Sequence, residues 1–299
     1  MTLRRITALI AITLALGFVA SCGGTTKAKP RTADETVTWV AQGLANEQPG
    51  VIWEAMPPSY QADVTSLVHE FANSMDPEVY NKVFAVAGKI VDVLKNKRDV
   101  ILASSMFEQA QVDPEKASQN WDNVVGIFDS LVSSDLADLE KLKTADPGDL
   151  LSSTGSAMMQ HAAAASKMSE DDPYAKEFKA KVAAMQVEVL ESTESTATLR
   201  ITVPDEEPEE MQMVRVEEKW VPKDMADEWS GAIAEARTKI AELGGEEFQQ
   251  NKMQAMMGLG MVEAMVDQVA TIESPEELDQ MLQGMMGNLL GGLGQGMGE

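Results

Sequence analysis

"QVEVLESTESTATLRITVPDEEPEEMQMVRVEEKWVP", residues 186–222, is where the spacing of apolar residues along this chain changes from helical to alternate. Val187 and Val189 alternate with polar neighbours. Ala197, Leu199, Ile201 and Val203 do the same, with Thr198, Arg200 and Thr202 between them. Strict alternation is the pattern of a strand that buries one face. Val214, Val216 and Trp220 read as one more alternating face. With "ESTEST" and "PDEEPEE" as connections, the stretch predicts three strands in an antiparallel meander at about 186–221, ended by Val221-Pro222.

On the N-terminal side, from Asp34 to about Met185, the spacing is helical. Tyr60, Val64, Leu67, Val68, Phe71 and Met75 form one stripe, and Ala117, Trp121, Val124, Phe128 and Leu131 another. Residues 79–94 are apolar on two faces, which predicts a central helix. Asp-Pro recurs at Asp76-Pro77, Asp113-Pro114, Asp146-Pro147 and Asp172-Pro173. An Asp side chain can accept from the free N–H groups of a first turn, and Pro has no N–H to leave unsatisfied there. These dipeptides predict four helix starts.

On the C-terminal side, Met225, Trp229, Ile233, Ala236, Ile240 and Leu243 form a helical stripe, stopped by Gly244-Gly245. A Met-rich helix is expected from about Glu246 to Ala270. Another opens with the capping sequence Ser274-Pro275-Glu276-Glu277. The expected fold is α+β, mainly α: a helical N-terminal part, the meander and C-terminal Met-rich helices. The helical domain with its meander spans 34–243, a Met-rich arm or hairpin 246–290, and a Gly-rich tail without fixed structure 291–299.

The first residues belong to none of this. Arg4 and Arg5 precede an apolar run from Ile6 to Ala20, followed by small residues and Cys22, the single cysteine. Charged, then apolar, then small is the order of an export signal, and the run is short for a bilayer span. Val19-Ala20-Ser21-Cys22 resembles the lipobox of bacterial lipoprotein precursors. The resemblance implies cleavage of residues 1–21, a diacylglycerol on Cys22 and, in many bacteria, an N-acyl chain. Several acyl chains hold a protein to a membrane stably where a single one does not. Gly23 in place of an acid implies, by the same resemblance, sorting to an outer membrane where one exists, and otherwise to the cell membrane. Residues 22–33 then read as a flexible tether.

The chain carries a net charge of −24, and loss of Arg4 and Arg5 with no acid leaves 22 basic against 48 acidic residues, or −26. Such a surface repels nucleic-acid phosphates, so no nucleic-acid partner is expected. With Cys22 acylated no thiol remains for a disulfide, a Cys-based zinc site or a nucleophile.

No motif for a specific reaction is present, so no catalytic, metal or cofactor residues are assigned. His69 and His161 are the only histidines and read as ordinary helix residues. "PDEEPEE" lacks the oxygen spacing of a calcium loop and reads as a solvated connection. The unusual feature is the methionine set Met253, Met256, Met257, Met261, Met265, Met281, Met285 and Met286. Three readings apply: a soft helix–helix core, an adaptable partner surface, or a Cu(I) site, which no His or Cys joins. Val187–Val203 with Lys219-Trp220 is also similar to the later strands of NTF2-like lipoprotein domains. That resemblance implies a ligand cavity, roofed by Trp39, Trp53 or Trp121. The leading expectation is a non-enzymatic envelope lipoprotein that binds a partner protein or supports envelope structure. A small-ligand-binding domain and a hydrolase with paired carboxylates stand as alternatives.

Overall fold

The computed structural model describes residues 29–105, 113–167 and 173–284. The export signal, Cys22, most of the tether, Asp172, Met285, Met286 and the tail at 291–299 lie outside the described residues. Helices α1 (Ala33–Ala45), α2 (Gly50–Ala55), α3 (Pro58–Ser74), α4 (Pro77–Asn96) and α5 (Arg98–Leu102) come first. They are followed by α6 (Pro114–Val132), α7 (Leu139–Leu142), α8 (Pro147–Leu150), α9 (Ser156–Lys167) and α10 (Pro173–Ala184). Strands β1 (Gln186–Ser192), β2 (Thr196–Thr202), β3 (Glu209–Val216) and β4 (Lys219–Pro222) precede α11 (Lys223–Leu243) and α12 (Glu246–Thr271). Residues 275–284 are again helical. The protein is α+β and mainly α.

The Asp-Pro dipeptides act as helix starts. Asp76 accepts from the N–H groups of Glu78 and Val79, Asp113 from those of Glu115 and Lys116, and Asp146 from those of Gly148 and Asp149. In each case Pro occupies the first helical position. Helix α10 opens at Pro173.

The sheet has four strands in the order β1-β2-β3-β4, all antiparallel, where the alternation suggested three. The difference lies at Glu217-Glu218. Both residues have positive φ, 48° and 68°, which makes a two-residue hairpin turn, and Val216 pairs with Lys219. Such turns usually hold Asn or Gly, so Glu-Glu gives no sequence signal. The turn also resets the parity of the strand. Arg215 lies opposite Trp220 and Val214 opposite Val221, so Trp220 shares a face with Met213 and not with Val214 and Val216.

That face is the sheet's core side. Ala197, Leu199, Met213 and Trp220 pack under Ala33 and Val37 of α1, with Leu199 at 0% exposure. The Trp220 Nε1–H donates to the Arg31 carbonyl at 3.1 Å, so the entry to α1 is fixed from the last strand.

Two further cores lie along α4, as expected of a central helix. Tyr80, in its first half, packs with Ala72, Leu139, Leu142 and Leu150. Val91, in its second half, packs with Ile101, Trp121, Val125, Ile272 and Leu278. The stripe expected on α6 is displaced by one row. Trp121, Val125 and Gly126 are buried, while Val124 and Phe128 remain 43% and 50% exposed. Gly126 is fixed by its neighbour, because a Cβ there would lie 2.5 Å from the His161 ring on α9.

Candidate functional site

Helix α12 runs beside α4 and is held to it by a seam of ion pairs. Lys252 Nζ lies 2.8 Å from both Asp76 and Glu78. Glu263 takes Lys82 and, at 3.1 Å, Lys89, which also reaches Asp267 at 2.8 Å. Asp76 has two tasks. Its Oδ1 caps α4 and its Oδ2 accepts from Lys252. The Lys252 ammonium, then the backbone N–H groups, hold the Asp76 carboxyl below the usual carboxylate range, against the opposing effect of burial. Lys82 and then Lys89 do the same for Glu263. Both carboxylates are thereby kept ionised, as a salt seam requires and a general acid does not.

The α11–α12 turn explains how α12 leaves α11. Neither Gly244 nor Gly245 has a positive φ. Gly245 serves close approach, since a Cβ there would lie 3.2 Å from the Glu242 carbonyl oxygen.

The salt seam divides the methionines. Met256 and Met265 are half-buried, and Met281, in the stretch 275–284, packs on the core around Trp121. Met253, Met257 and Met261 are 73%, 64% and 63% exposed. They stand four residues apart, so they form one continuous row on a helix. Gly258 and Gly260 beside them have nothing within 4 Å of where a Cβ would stand. Between Glu247 and Glu263 the only charged residue is Lys252, which is engaged with α4. The result is a bare apolar face on α12, free of charge along its middle.

The other residues singled out in the sequence lie elsewhere. His69 Nε2 donates to the Ala145 carbonyl at 3.0 Å and ties α3 to the turn before α8. His161 packs on Gly126. "PDEEPEE" forms most of the β2–β3 connection, where Glu206 pairs with Lys181 at 2.9 Å, but its last two residues, Glu209 and Glu210, are already paired in β3 with Ile201 and Arg200. Trp121 donates to the Leu94 carbonyl in the α4–α6 core, whereas Trp53 lies against Gly148 of α8, so these two indoles belong to separate places. A cleft between α4 and α12 is lined by Lys89, Asp92, Asn96 and Asp267. Among the described residues no group of three or more His, Cys, Asp or Glu is placed to hold a metal ion, and no helix is long and apolar enough to cross a membrane.

The sequence reading contains no salt seam. Its signal was available: Lys82 and Lys89 lie seven residues apart around Val86, and Glu263 and Asp267 lie four apart. What one sequence does not supply is which helix faces which. Comparison with family models, curated proteins and solved structures finds no match to this chain.

Proposed function

We propose that this chain is a lipid-anchored cell-envelope lipoprotein that carries out no reaction and binds a partner protein through α12. The observation that supports it best is the exposed row Met253, Met257 and Met261 on a helix whose opposite side is fixed by ion pairs. Unbranched thioether side chains adapt to varied apolar partners. Burying them removes apolar surface from water at about 25 cal/mol per Å². The ion pairs keep α12 seated on α4, so the face is presented ready-made. The lipobox residues Val19-Ala20-Ser21-Cys22 support the anchor.

Two measurements test the two halves. A photo-crosslinking side chain at Met257, expressed in cells, is expected to give a discrete adduct, and one at Glu235 on α11 is not. The same adducts at both positions, or none at Met257, would remove the docking reading. Cys22→Ser is expected to move the protein from the membrane to the soluble fraction. A variant that stays with the membrane would remove the anchor.

A further inference from the structure

We infer that the occupant of the α12 face is a basic amphipathic helix of the partner, an inference that rests on reading this face as a docking surface. Three observations carry it. The first is shape. Met253, Met257 and Met261 make a straight row roughly 12 Å long at 1.5 Å per residue. Gly258 and Gly260 leave room beside them for a second helix to approach. Laying an apolar helix stripe against such a row is a common mode of peptide recognition.

The second is charge. Residues 223–284, which hold α11, α12 and the helical stretch after them, contain 13 acidic and 4 basic residues. All 4 basic residues are already committed within the chain: Lys223 to Asp227, Arg237 to Asp63 and Glu70, Lys239 to Glu235, and Lys252 to Asp76 and Glu78. Lys82 and Lys89 of α4 offset Glu263 and Asp267, but the stretch as a whole keeps an excess of acid, which a basic occupant would match.

The third is the disadvantage of the other occupants. A second copy of the chain brings the same large negative charge. A membrane surface is usually anionic, and helices that lie on one carry Lys and Arg on their polar side. Helix α12 has a single Lys, held by Asp76 and Glu78.

The test uses the full chain and a fluorescent peptide of about 18 residues with Leu on one helical face and Lys on the other. Its counterpart carries Glu in place of Lys. The Leu/Lys peptide is expected to bind, more weakly at high salt. Its affinity should fall by at least about tenfold in Met253→Gln/Met257→Gln/Met261→Gln, and clearly in Gln250→Lys/Gln268→Lys, which adds cations to the same face. Equal binding of the Leu/Glu peptide would overturn the inference, as would Leu/Lys binding that both variants leave unchanged. Failure of the Leu/Lys peptide to bind, with a Met257 adduct still formed in cells, would overturn this inference and leave the docking reading intact. Self-association, or flotation with anionic vesicles, that the triple Met variant abolishes would assign the face to a second copy or to lipid, and would also overturn it.

Discussion

Gly126→Ala sets two effects of known size against each other. Gly126 lies inside α6, where Ala is favoured over Gly by about 0.8–1 kcal/mol. At an open site that gain would be realised. At Gly126 the new Cβ would stand 2.5 Å from Cε1 and Nδ1 of His161 and 2.7 Å from its Cγ. Three ring atoms are too close, so the whole ring must move, or α9 must move away from α6. Overpacking of this kind costs about 1–3 kcal/mol. The net expectation runs from no gain to a loss of about 2 kcal/mol, read from urea unfolding followed by circular dichroism. Gly88→Ala in α4 is the control, because nothing lies within 4 Å of its Cβ position, and it should gain up to about 1 kcal/mol. Adding His161→Ala to Gly126→Ala should recover most of the loss, giving a coupling of about 1–3 kcal/mol. A Gly126→Ala protein that gains as much stability as Gly88→Ala would refute the packing argument.

Other expectations follow from single contacts. Asp76→Ala removes the α4 cap and should cost about 1 kcal/mol, whereas Asp76→Asn keeps an acceptor for the N–H groups and loses only the charge opposite Lys252. The difference between the two variants isolates the cap. Because the folded Asp76 and Glu263 carboxyls titrate below their ordinary values, their contribution is present above the ordinary carboxylate pKa and is lost as pH falls through the lowered folded values. An acid titration monitored by hydrogen exchange should therefore show α12 losing protection in acid before the sheet, and uniform loss would contradict it. Leu199→Ala, at the fully buried centre of the sheet face, should cost about 2–5 kcal/mol in the same unfolding assay. Glu218→Gly relieves a left-handed residue at φ 68° at the expense of an exposed pair with Arg215, and a gain of up to about 1 kcal/mol in thermal unfolding is expected.

What the sequence discloses and what it withholds separate on physical grounds. Asp-Pro dipeptides act within two or three residues, so a local reading places the helix starts at 76, 113 and 146 correctly. Alternation locates β2 because Ala197, Leu199 and Ile201 are all on its buried face. The strand after it is misread because Glu217 and Glu218 adopt positive φ without Asn or Gly, so the parity reset ahead of Trp220 leaves no trace in composition. Helical period shows which residues share a row and not which row is covered. Hence the expected α6 stripe includes Val124 and Phe128, which face out, and misses Val125, which faces in. The same limit applies to the candidate site. The methionines are conspicuous in the sequence, yet the partners Asp76, at the cap of α4, and Lys82 and Lys89, on it, decide that Met256 turns inward and Met253, Met257 and Met261 outward.

The contact between Trp220 and Arg31 also constrains the order in which the chain can fold. Its two ends are separated by 189 residues, while every strand pairing in the sheet joins sequence neighbours. During synthesis α1 emerges early, its Ala33 and Val37 side stays uncovered until the sheet begins to form, and its bond to Trp220 waits until β4 has left the ribosome. The sheet itself needs only short loops to close. Helix α1 is thus made long before it is locked in place, and for most of the time the chain takes to be synthesised its apolar side is open to chaperones or to other nascent chains.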